Sequence, residues 1–364
     1  MRKIGILTYQ NTTNFGAALQ CYGLYKKIFD LGGDVEVIDY HSEEIEGKEI
    51  PYLISKPRGI IKRLKHQVSI NILEKKYQAM SDFMRDNIHY SESVNKTDIS
   101  RLNDRYDVFV SGSDILWDKK INGGDYTYFL DFVRDDKEKY SYATSVADNW
   151  DKSDEVHIKK LLTRYQKIAT REKSGVEWVE RITKGRKTAR FICDPTMLIT
   201  KEEWIKIARK SSLWEKLKEQ KYVLIYFCND DVLKLAQKYA ADNHMNVYEV
   251  NLSLRPLQGR KKLRLYSISD FLAAVYCADF VVTASYHGML FSLYFERQFR
   301  YFGRRPRTRM DHVAEIFNIE FTDGDLESKE CIDYEKVSKK IEEYRNEGID
   351  YINRNIIRSS NDNV

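Results

Sequence analysis

Residues 283–288 combine small polar side chains with a histidine at the point where an apolar run breaks. The β-branched run 280–282 precedes them, and a second apolar segment, long enough for about two helical turns, follows His287 and Gly288. This pattern predicts a strand, a turn and a helix. In an α/β unit such a turn lies at the carboxyl edge of the sheet, where helix-start amides face a ligand crevice. We therefore predict a ligand site here; the alternative is a histidine that caps a helix inside a packed core.

A second stretch of this kind follows the apolar run 106–110, which predicts another strand. Ser113, Asp114 and Trp117 come directly after it, so we expect them at the carboxyl edge of the sheet. An aromatic face beside a carboxylate suits a sugar, whose C–H groups stack and whose hydroxyls need acceptors. The alternative is a turn with an aspartate cap and a tryptophan of the core.

Arg171 ends a third predicted strand, residues 167–171. There a guanidinium can hold a carboxylate or phosphate through two parallel hydrogen bonds. The alternative for an isolated arginine is a surface salt bridge.

The elements that must position these residues follow an alternating strand and helix pattern. The chain opens with a strand over 4–8, a polar turn over 11–16, a helix that Gly32 and Gly33 end, and a strand over 35–40. This β-α-β opening is typical of a doubly wound sheet, although its turn lacks the GxGxxG fingerprint of dinucleotide sites.

The charged segment 201–220 is interpreted as the passage to a second domain. A fresh sheet begins at 222–228, Ser269 is predicted to cap a helix over 270–277, and residues 333–357 are predicted to be helical.

Length and composition indicate a folded protein of two domains. A chain of 364 residues exceeds one ordinary core and suggests domains of roughly 150–200 residues. The formal charge of +5 arises from 60 basic and 55 acidic residues, a balance that does not predict nucleic-acid binding. It is compatible with an anionic small substrate or with contact to an acidic membrane surface. The charged stretch 41–66 is interpreted as a solvated loop running into a basic helix, with a membrane-contacting patch as the alternative.

The cysteines indicate a reducing compartment. All 5 are scattered without CxxC spacing, which predicts free thiols in a cytoplasmic protein rather than disulfides or a metal site. The N-terminus does not fit a signal peptide, and no apolar run reaches the ~18 residues needed to span a bilayer. We therefore expect a cytoplasmic protein, with the inner face of the membrane as a place it could visit.

Several of these stretches, taken together and in order, resemble one protein family. The first half contributes residues 5–8 with 14–20, 111–117 and 141–145, and the second half contributes 171–175, 193–198, and 283–288 with 291–293. In this order they resemble the motifs of the polysaccharide pyruvyl transferase family over roughly residues 1–320. One such motif would be weak evidence for the family, but six motifs in the same order make the resemblance specific.

The resemblance implies a fold and an activity. The fold would be α/β, with two Rossmann-like domains facing across a cleft as in GT-B glycosyltransferases. Residues 1–200 would form the acceptor side, 201–330 the donor side, and 331–364 a C-terminal helix able to pack back on the first domain. The activity would be transfer of pyruvate from phosphoenolpyruvate to two hydroxyls of a sugar as a cyclic ketal, in capsule, exopolysaccharide or lipid-linked precursor synthesis. Phosphoenolpyruvate would be a substrate, and neither a cofactor nor a metal is expected.

The resemblance also suggests roles for individual residues. His287 would bind the donor phosphate and shuttle a proton, and Arg171 would hold an anionic group of the donor. Asp114 would serve the acceptor as the second catalytic group. The remaining donor residues are Ser285, Gly288 and Arg309, and the remaining acceptor residues are Asn14, Gln20, Ser113 and Trp117.

The sequence departs from the family at Ser285. Several family members have an arginine two residues before the histidine, whereas a serine brings no charge. Another basic residue must then compensate, or the donor is different. The nearest basic residues in sequence are Arg304, Arg305, Arg307 and Arg309. We favour Arg309, at the start of a helix predicted over 310–317, and interpret the others as part of a solvated loop. The competing functions are a nucleotide-sugar glycosyltransferase of the same fold and a non-catalytic glycan-binding protein.

Overall fold

The computed structural model describes most of the chain. Its described residues are 2–49, 60–146, 150–254, 257–302, 309–319 and 331–358, with the backbone alone at 48–49 and 60–66. Part of the predicted charged loop, the basic side chains at 62–66, and Arg304, Arg305 and Arg307 therefore lie outside the described residues. Whether the basic segment contacts a membrane stays a prediction.

The chain divides into two compact units. The first comprises Met1–Ser55, Ser81–Ile199 and Glu343–Val364, and the second comprises Lys56–Met80 and Thr200–Glu342. The main division falls between residues 199 and 200, next to the boundary expected from the sequence. Residues 56–80, expected in the first domain, belong to the second unit.

The first unit is built on parallel strands. One sheet has the order β2-β1-β5-β7 and a second the order β10-β9-β8-β6, while β3 pairs with β4. All of these pairs are parallel. The strands are β1 Lys3–Leu7, β2 Asp34–Val37, β3 Tyr40–His41, β4 Val94–Asn95, β5 Val108–Ser111, β6 Asp114–Trp117, β7 Glu138–Ser141, β8 Thr144–Val146, β9 Ile168–Thr170 and β10 Ala189–Phe191.

Helices connect these strands. The best defined is α1, which begins after Asn14 and ends before Gly32, whose φ of +86° suits a glycine. The helices are α1 Phe15–Asp30, α2 Glu43–Glu49, α3 Ile60–Asn87, α4 Lys119–Asn122, α5 Lys152–Thr163 and α6 Lys173–Thr183, with 3₁₀ turns at Ile99–Asp104, Tyr126–Phe129 and Pro195–Leu198. Residues 60–80 of α3 are counted with the second unit.

The second unit contains one five-stranded parallel sheet of order β13-β12-β11-β14-β15. Its central strand β11 and its neighbour β14 are buried along their whole length, as near-continuous apolar runs in a covered parallel sheet should be. The strands are β11 Tyr222–Tyr226, β12 Asn246–Val250, β13 Lys261–Leu263, β14 Phe280–Thr283 and β15 Gln298–Tyr301. The helices are α7 Lys201–Ala208, α8 Trp214–Lys218, α9 Asp230–Asp242, α10 Ile268–Tyr276, α11 Tyr286–Tyr294 and α12 Arg309–Ile316. The predicted α/β class with parallel sheets is confirmed.

Two predictions about the second unit were wrong. Residues 201–220 are not a passage between domains, because α7 buries Trp204 against Phe291 of α11 at 5.2 Å between ring centroids. The cap of α10 is Ser267 rather than Ser269: the Ser267 hydroxyl accepts from the Asp270 amide, and the Asp270 carboxylate accepts from the Ser267 amide.

The C-terminal helix α13 spans Tyr334–Tyr351 and continues as a π-helix over Ile352–Ile357. Its last residues pack in the first unit. The Tyr351 hydroxyl donates to the Ser141 carbonyl at 3.0 Å, the Arg345 guanidinium donates to the Met197 carbonyl at 2.8 Å, and Ile352 and Ile356 are fully buried. None of the helices that the structure describes combines the length and apolar character needed to cross a bilayer.

Candidate functional site

The order of the second sheet defines a crevice. The chain leaves β11 towards β12 and leaves the adjacent strand β14 towards β15, so the connections diverge between these neighbours. Ligands of doubly wound sheets bind at such a switch point, beyond the carboxyl ends of the strands. We call the ends of β11 and β14, with the start of α11, the second-unit edge. It contains Ser285, His287 and Gly288.

Ser285 is the N-cap of α11. Its backbone is extended, with φ −97° and ψ 129°, and its hydroxyl oxygen accepts from the Gly288 amide at 3.2 Å. Its own amide donates to the Thr283 hydroxyl at 3.0 Å. A serine in this position satisfies an amide that the helix start would otherwise leave unbonded. The residue that departs from the family pattern therefore has a structural role in forming the helix start.

Gly288 allows α11 to lie directly against the strands. A Cβ atom at this position would stand 2.4 Å from the Thr283 hydroxyl oxygen and 3.0 Å from the Tyr226 ring. The Thr283 hydroxyl in turn donates to the Tyr226 carbonyl at 2.8 Å, which ties β14 to β11. The helix start is thus fixed by close packing.

His287 and Arg309 both lie near the ring of Tyr286. His287 is 8% exposed, and its ring stands edge-on to that of Tyr286 with 5.2 Å between centroids. The Arg309 guanidinium carbon lies 5.7 Å from the Tyr286 ring centroid, within cation–π range. The basic residue favoured from the sequence is therefore brought next to the helix start that lacks the arginine.

The first unit has a corresponding edge at β1 and β5, where its sheet order also reverses direction. Asn14, exposed, caps α1 by accepting from the Gly16 amide at 2.9 Å. Gln20 is fully buried and donates to the Thr8 hydroxyl at 2.9 Å, while that hydroxyl donates to the Ser113 carbonyl at 3.0 Å. The structure brings these predicted residues together, with Gln20 and Ser113 beneath the surface. We call this group, with Asp114, the first-unit edge.

Asp114 and Arg171 are linked by a buried ion-pair network. Arg171, 4% exposed, places one Nη 2.9 Å from Asp194 and the other 3.4 Å from Asp114, with Nε 3.8 Å from Glu172. Asp114 has a φ of +77°, a conformation that few non-glycine residues adopt. The ion pair with Arg171 holds the Asp114 carboxylate in place and so stabilises this strained conformation.

Two sequence predictions need correction at the first-unit edge. Trp117 does not present a face to a ligand: it is fully buried, donates its indole N–H to the Tyr128 carbonyl at 3.0 Å and stacks on Phe129 at 5.1 Å. The reason is that the chain begins a new strand, β6, at Asp114, and Trp117 is its last residue. Arg171 does not form a surface salt bridge. Its guanidinium is also not open to bind an anionic ligand, because it contacts carboxylates of its own unit.

A charged histidine at this edge was missed. His41 lies between two carboxylates, 2.6 Å from Glu46 and 3.3 Å from Asp39, and their hydrogen bonds raise its pKa to about 10. The Glu46 carboxylate also accepts from Asn11 at 2.8 Å, in the turn before α1. The acidic residues around position 41 were visible in the sequence, but their convergence depends on the pairing of β3.

Comparison with known proteins decides the family. A model described as polysaccharide pyruvyl transferase matches residues 14–306, a range that includes Asn14, Gln20, Ser113 and Asp114 of the first-unit edge and Ser285, His287 and Gly288 of the second. The chain belongs to the polysaccharide pyruvyl transferase family. No curated protein matches it in sequence.

Solved structures similar to this family member share its fold. One is S. aureus MnaA in a co-structure with UDP, with a TM-score of 0.54 at 12% identity, covering 98% of this chain and 96% of that one. UDP-GlcNAc 2-epimerase from Neisseria meningitidis, bound to UDP-GlcNAc, gives 0.52 at 8% identity over 96% and 94%. A UDP-N-acetylglucosamine 2-epimerase from Listeria monocytogenes gives 0.51 at 10% identity over 94% and 90%. These likenesses confirm the predicted GT-B-like fold class.

Proposed function

We propose that this protein transfers pyruvate from phosphoenolpyruvate to two hydroxyls of a sugar, forming a cyclic ketal in a cell-surface polysaccharide or its precursor. The observation that carries the proposal is the family match over residues 14–306. The chemistry available at the two edges supports it, because one edge offers positive charge and the other a carboxylate.

The second-unit edge suits the donor. Phosphoenolpyruvate carries a phosphate and a carboxylate and needs fixed positive charge. Arg309, the positive end of the α11 dipole and a histidine held by packing at its first turn lie together there. We assign phosphate binding to His287 and Arg309, with His287 also able to move a proton to or from the donor.

The first-unit edge suits the acceptor. Asp114 is 9% exposed, lies three residues after the end of β5 as the first residue of β6, and can accept a proton from a sugar hydroxyl as it attacks. We assign Arg171 to positioning this carboxylate instead of contacting the donor, since both of its Nη atoms face Asp114 and Asp194. Asn14, exposed at the α1 cap, is assigned to hydrogen bonding with the acceptor.

The reaction itself proceeds through a protonated donor. Protonation of the enol carbon gives an oxocarbenium-like centre, which one sugar hydroxyl attacks. Phosphate departs, the second hydroxyl closes the ketal, and one phosphate is released per ketal formed. The protein supplies an acid, a base and preorganised charge, each of which lowers the barrier for a different step.

Donor binding can be measured by calorimetry with phosphoenolpyruvate. We expect His287→Ala and Arg309→Ala each to weaken binding by about 1–3 kcal/mol, the usual range for losing a hydrogen bond to a charged group. Arg209→Ala is a matched control, because Arg209 also lies over an aromatic ring, that of Trp214 at 5.8 Å, at the end of α7. It should leave the affinity unchanged.

The donor assignment fails if His287→Ala and Arg309→Ala bind phosphoenolpyruvate as tightly as the wild type. The second candidate, a nucleotide-sugar glycosyltransferase, is favoured only by the UDP and UDP-GlcNAc named for the similar structures. Saturable binding of a UDP-sugar without binding of phosphoenolpyruvate would select it. Saturable binding of a saccharide without turnover of either donor would indicate a glycan-binding protein.

A further inference from the structure

Phe227 is an exposed aromatic residue in an unfavourable backbone conformation. It directly follows β11, its φ is +57°, and 63% of its surface is exposed. The left-handed region is uncommon for bulky side chains, and glycine or asparagine adopts it at less cost. Neither the exposed ring nor the strained backbone favours stability, so both indicate a functional constraint at this position.

The surrounding contacts fix the strained conformation. The Phe227 carbonyl accepts from the Ala284 amide at 2.8 Å, which fastens the end of β11 to the turn between β14 and α11. The Phe227 ring lies 4.6 Å from that of Tyr226, and the Tyr226 ring lies 5.2 Å from that of Phe271. Tyr226 and Phe271 are buried, so the three rings lead from the core to the surface, with Phe227 outermost.

This position borders the crevice of the second-unit edge. The strands β11 and β14 are the pair between which the sheet order reverses, and Phe227 and Ser285 follow their respective carboxyl ends. A ligand at the switch point of a doubly wound sheet contacts the loops that follow these two strands. The exposed ring is therefore on the side of the unit where a substrate is expected.

The chemistry of the ring selects the kind of ligand. A phenyl face offers apolar contact and no hydrogen-bond donor, whereas phosphoenolpyruvate is a small anion without a ring. The complement of a phenyl face is a ring with an apolar C–H face, as in a pyranose. Trp117, expected to provide such a face, is fully buried.

We propose that Phe227 is the stacking platform for a pyranose ring of the acceptor saccharide. This inference rests on the proposed function, because it takes the ring-bearing substrate to be an acceptor sugar. It makes Phe227, beside the residues of the second-unit edge, a specificity-determining residue.

The test uses the full-length protein and a panel of methyl pyranosides of glucose, galactose, mannose and their 2-acetamido forms. With phosphoenolpyruvate saturating, Phe227→Ala should raise the KM for the accepted pyranoside by roughly threefold to tenfold, the range expected for one aromatic contact. The KM for phosphoenolpyruvate should not change. Phe227→Tyr, which keeps the ring, should retain the wild-type KM for the pyranoside.

Phe29→Ala is the matched control. Phe29 is also an exposed phenylalanine, at 48%, but lies on α1 beside Tyr25 and His89 in the first unit. Its loss should leave both KM values unchanged. Phe227→Gly should raise the KM for the pyranoside as much as Phe227→Ala does. Its melting temperature should be higher than that of Phe227→Ala, because a φ of +57° suits glycine.

Two outcomes separate this inference from the proposed function. If the wild type releases phosphate with a pyranoside and Phe227→Ala has an unchanged KM for it, the stacking role is wrong and pyruvyl transfer stands. If the wild type releases no phosphate, saturation-transfer NMR with the same pyranosides decides the stacking role. Signals that weaken in Phe227→Ala but not in Phe29→Ala support it, and no saturation transfer, or equal signals in all three proteins, overturns it.

Discussion

Asp114 and Phe227 share an unusual feature: each is a non-glycine residue with positive φ that closely follows a strand beside a sheet switch point, β5 for Asp114 and β11 for Phe227. In each unit the strain is held by a specific contact, an ion pair with Arg171 in the first and a backbone hydrogen bond to Ala284 in the second. Strain that is retained in this way typically occurs at functional sites. The two residues are therefore the points from which we expect substrate contacts to be made.

The Arg171 network gives a stability prediction. Arg171→Ala should lower the free energy of unfolding by about 3–5 kcal/mol, because Asp194, Glu172 and Asp114 would be left without their buried cation. Arg181→Ala is the control: Arg181 pairs with Glu155 at 2.8 Å on the surface, so its loss should cost under about 1 kcal/mol. Urea denaturation of the three proteins measures both differences.

Arg171→Lys distinguishes positioning from donor contact. A lysine keeps the charge but cannot direct two Nη atoms at separate carboxylates. We expect turnover to fall while affinity for phosphoenolpyruvate is retained. Equal stability of the Arg171→Ala and Arg181→Ala proteins, or lost donor affinity in a folded Arg171→Lys protein, would contradict the positioning role.

At the residue scale, the sequence was enough to predict which residues lie at the two edges, but not which side chains they contact there. Polar types directly after apolar runs were enough to place Asp114 at the first-unit edge and Ser285 and His287 at the second. The pairing of Arg171 with Asp194 joins residues 23 positions apart and depends on how β9 and the 3₁₀ turn after β10 meet. Trp117 was misplaced because a strand end and the start of a new strand have the same local pattern.

At the element scale the start of α11 depends on how closely it approaches β14. Three residues determine this: Thr283 ties the strands together, Ser285 caps the helix, and Gly288 leaves room for the contact. Because α11 projects its start into the crevice, a small shift of the helix would displace His287. The residues that we propose to bind the donor therefore depend on one packing contact.

Gly288→Ala tests this contact. The added methyl group would meet the Thr283 oxygen and the Tyr226 ring, so we expect a loss of about 1–3 kcal/mol in unfolding free energy, although alanine is the better helix former. Ser285→Ala should cost about 1 kcal/mol by removing the cap, without a steric clash. Thermal and urea unfolding compare the two, and a stabilised Gly288→Ala protein would contradict the packing argument.

Elements were predicted better than their ends. Periodicity identified the strands and helices that flank both edges, since a buried parallel strand and an amphipathic helix leave distinct patterns. The cap of α10 was assigned two residues too late, although Ser267 and Asp270 have the spacing of a capping box. Segment 201–220 was misinterpreted because its many charged residues were given more weight than its apolar residues, of which Trp204, Ile207 and Leu217 are buried.

At the scale of the whole molecule, the chain consists of two units built on parallel sheets, and it belongs to one family over most of its length. The family could be predicted because its motifs follow strand ends in a fixed order, and those ends form the two edges at which we propose that substrates bind. One feature of the chain path could not be predicted: residues 60–80 of α3 belong to the second unit, whereas a C-terminal helix packing back on the first domain was expected from the resemblance. Such assignments depend on packing between segments distant in sequence, which local patterns do not encode.

The most direct test of pyruvyl transfer is phosphate release from phosphoenolpyruvate by the full-length protein with a panel of free and lipid-linked saccharides. We predict release that depends on one saccharide, with one ketal formed per phosphate, and a rate that falls at least about tenfold in His287→Ala if about 1.4 kcal/mol of transition-state stabilisation is lost. Absence of phosphate release with every saccharide, together with saturable binding of a UDP-sugar, would contradict the proposed function.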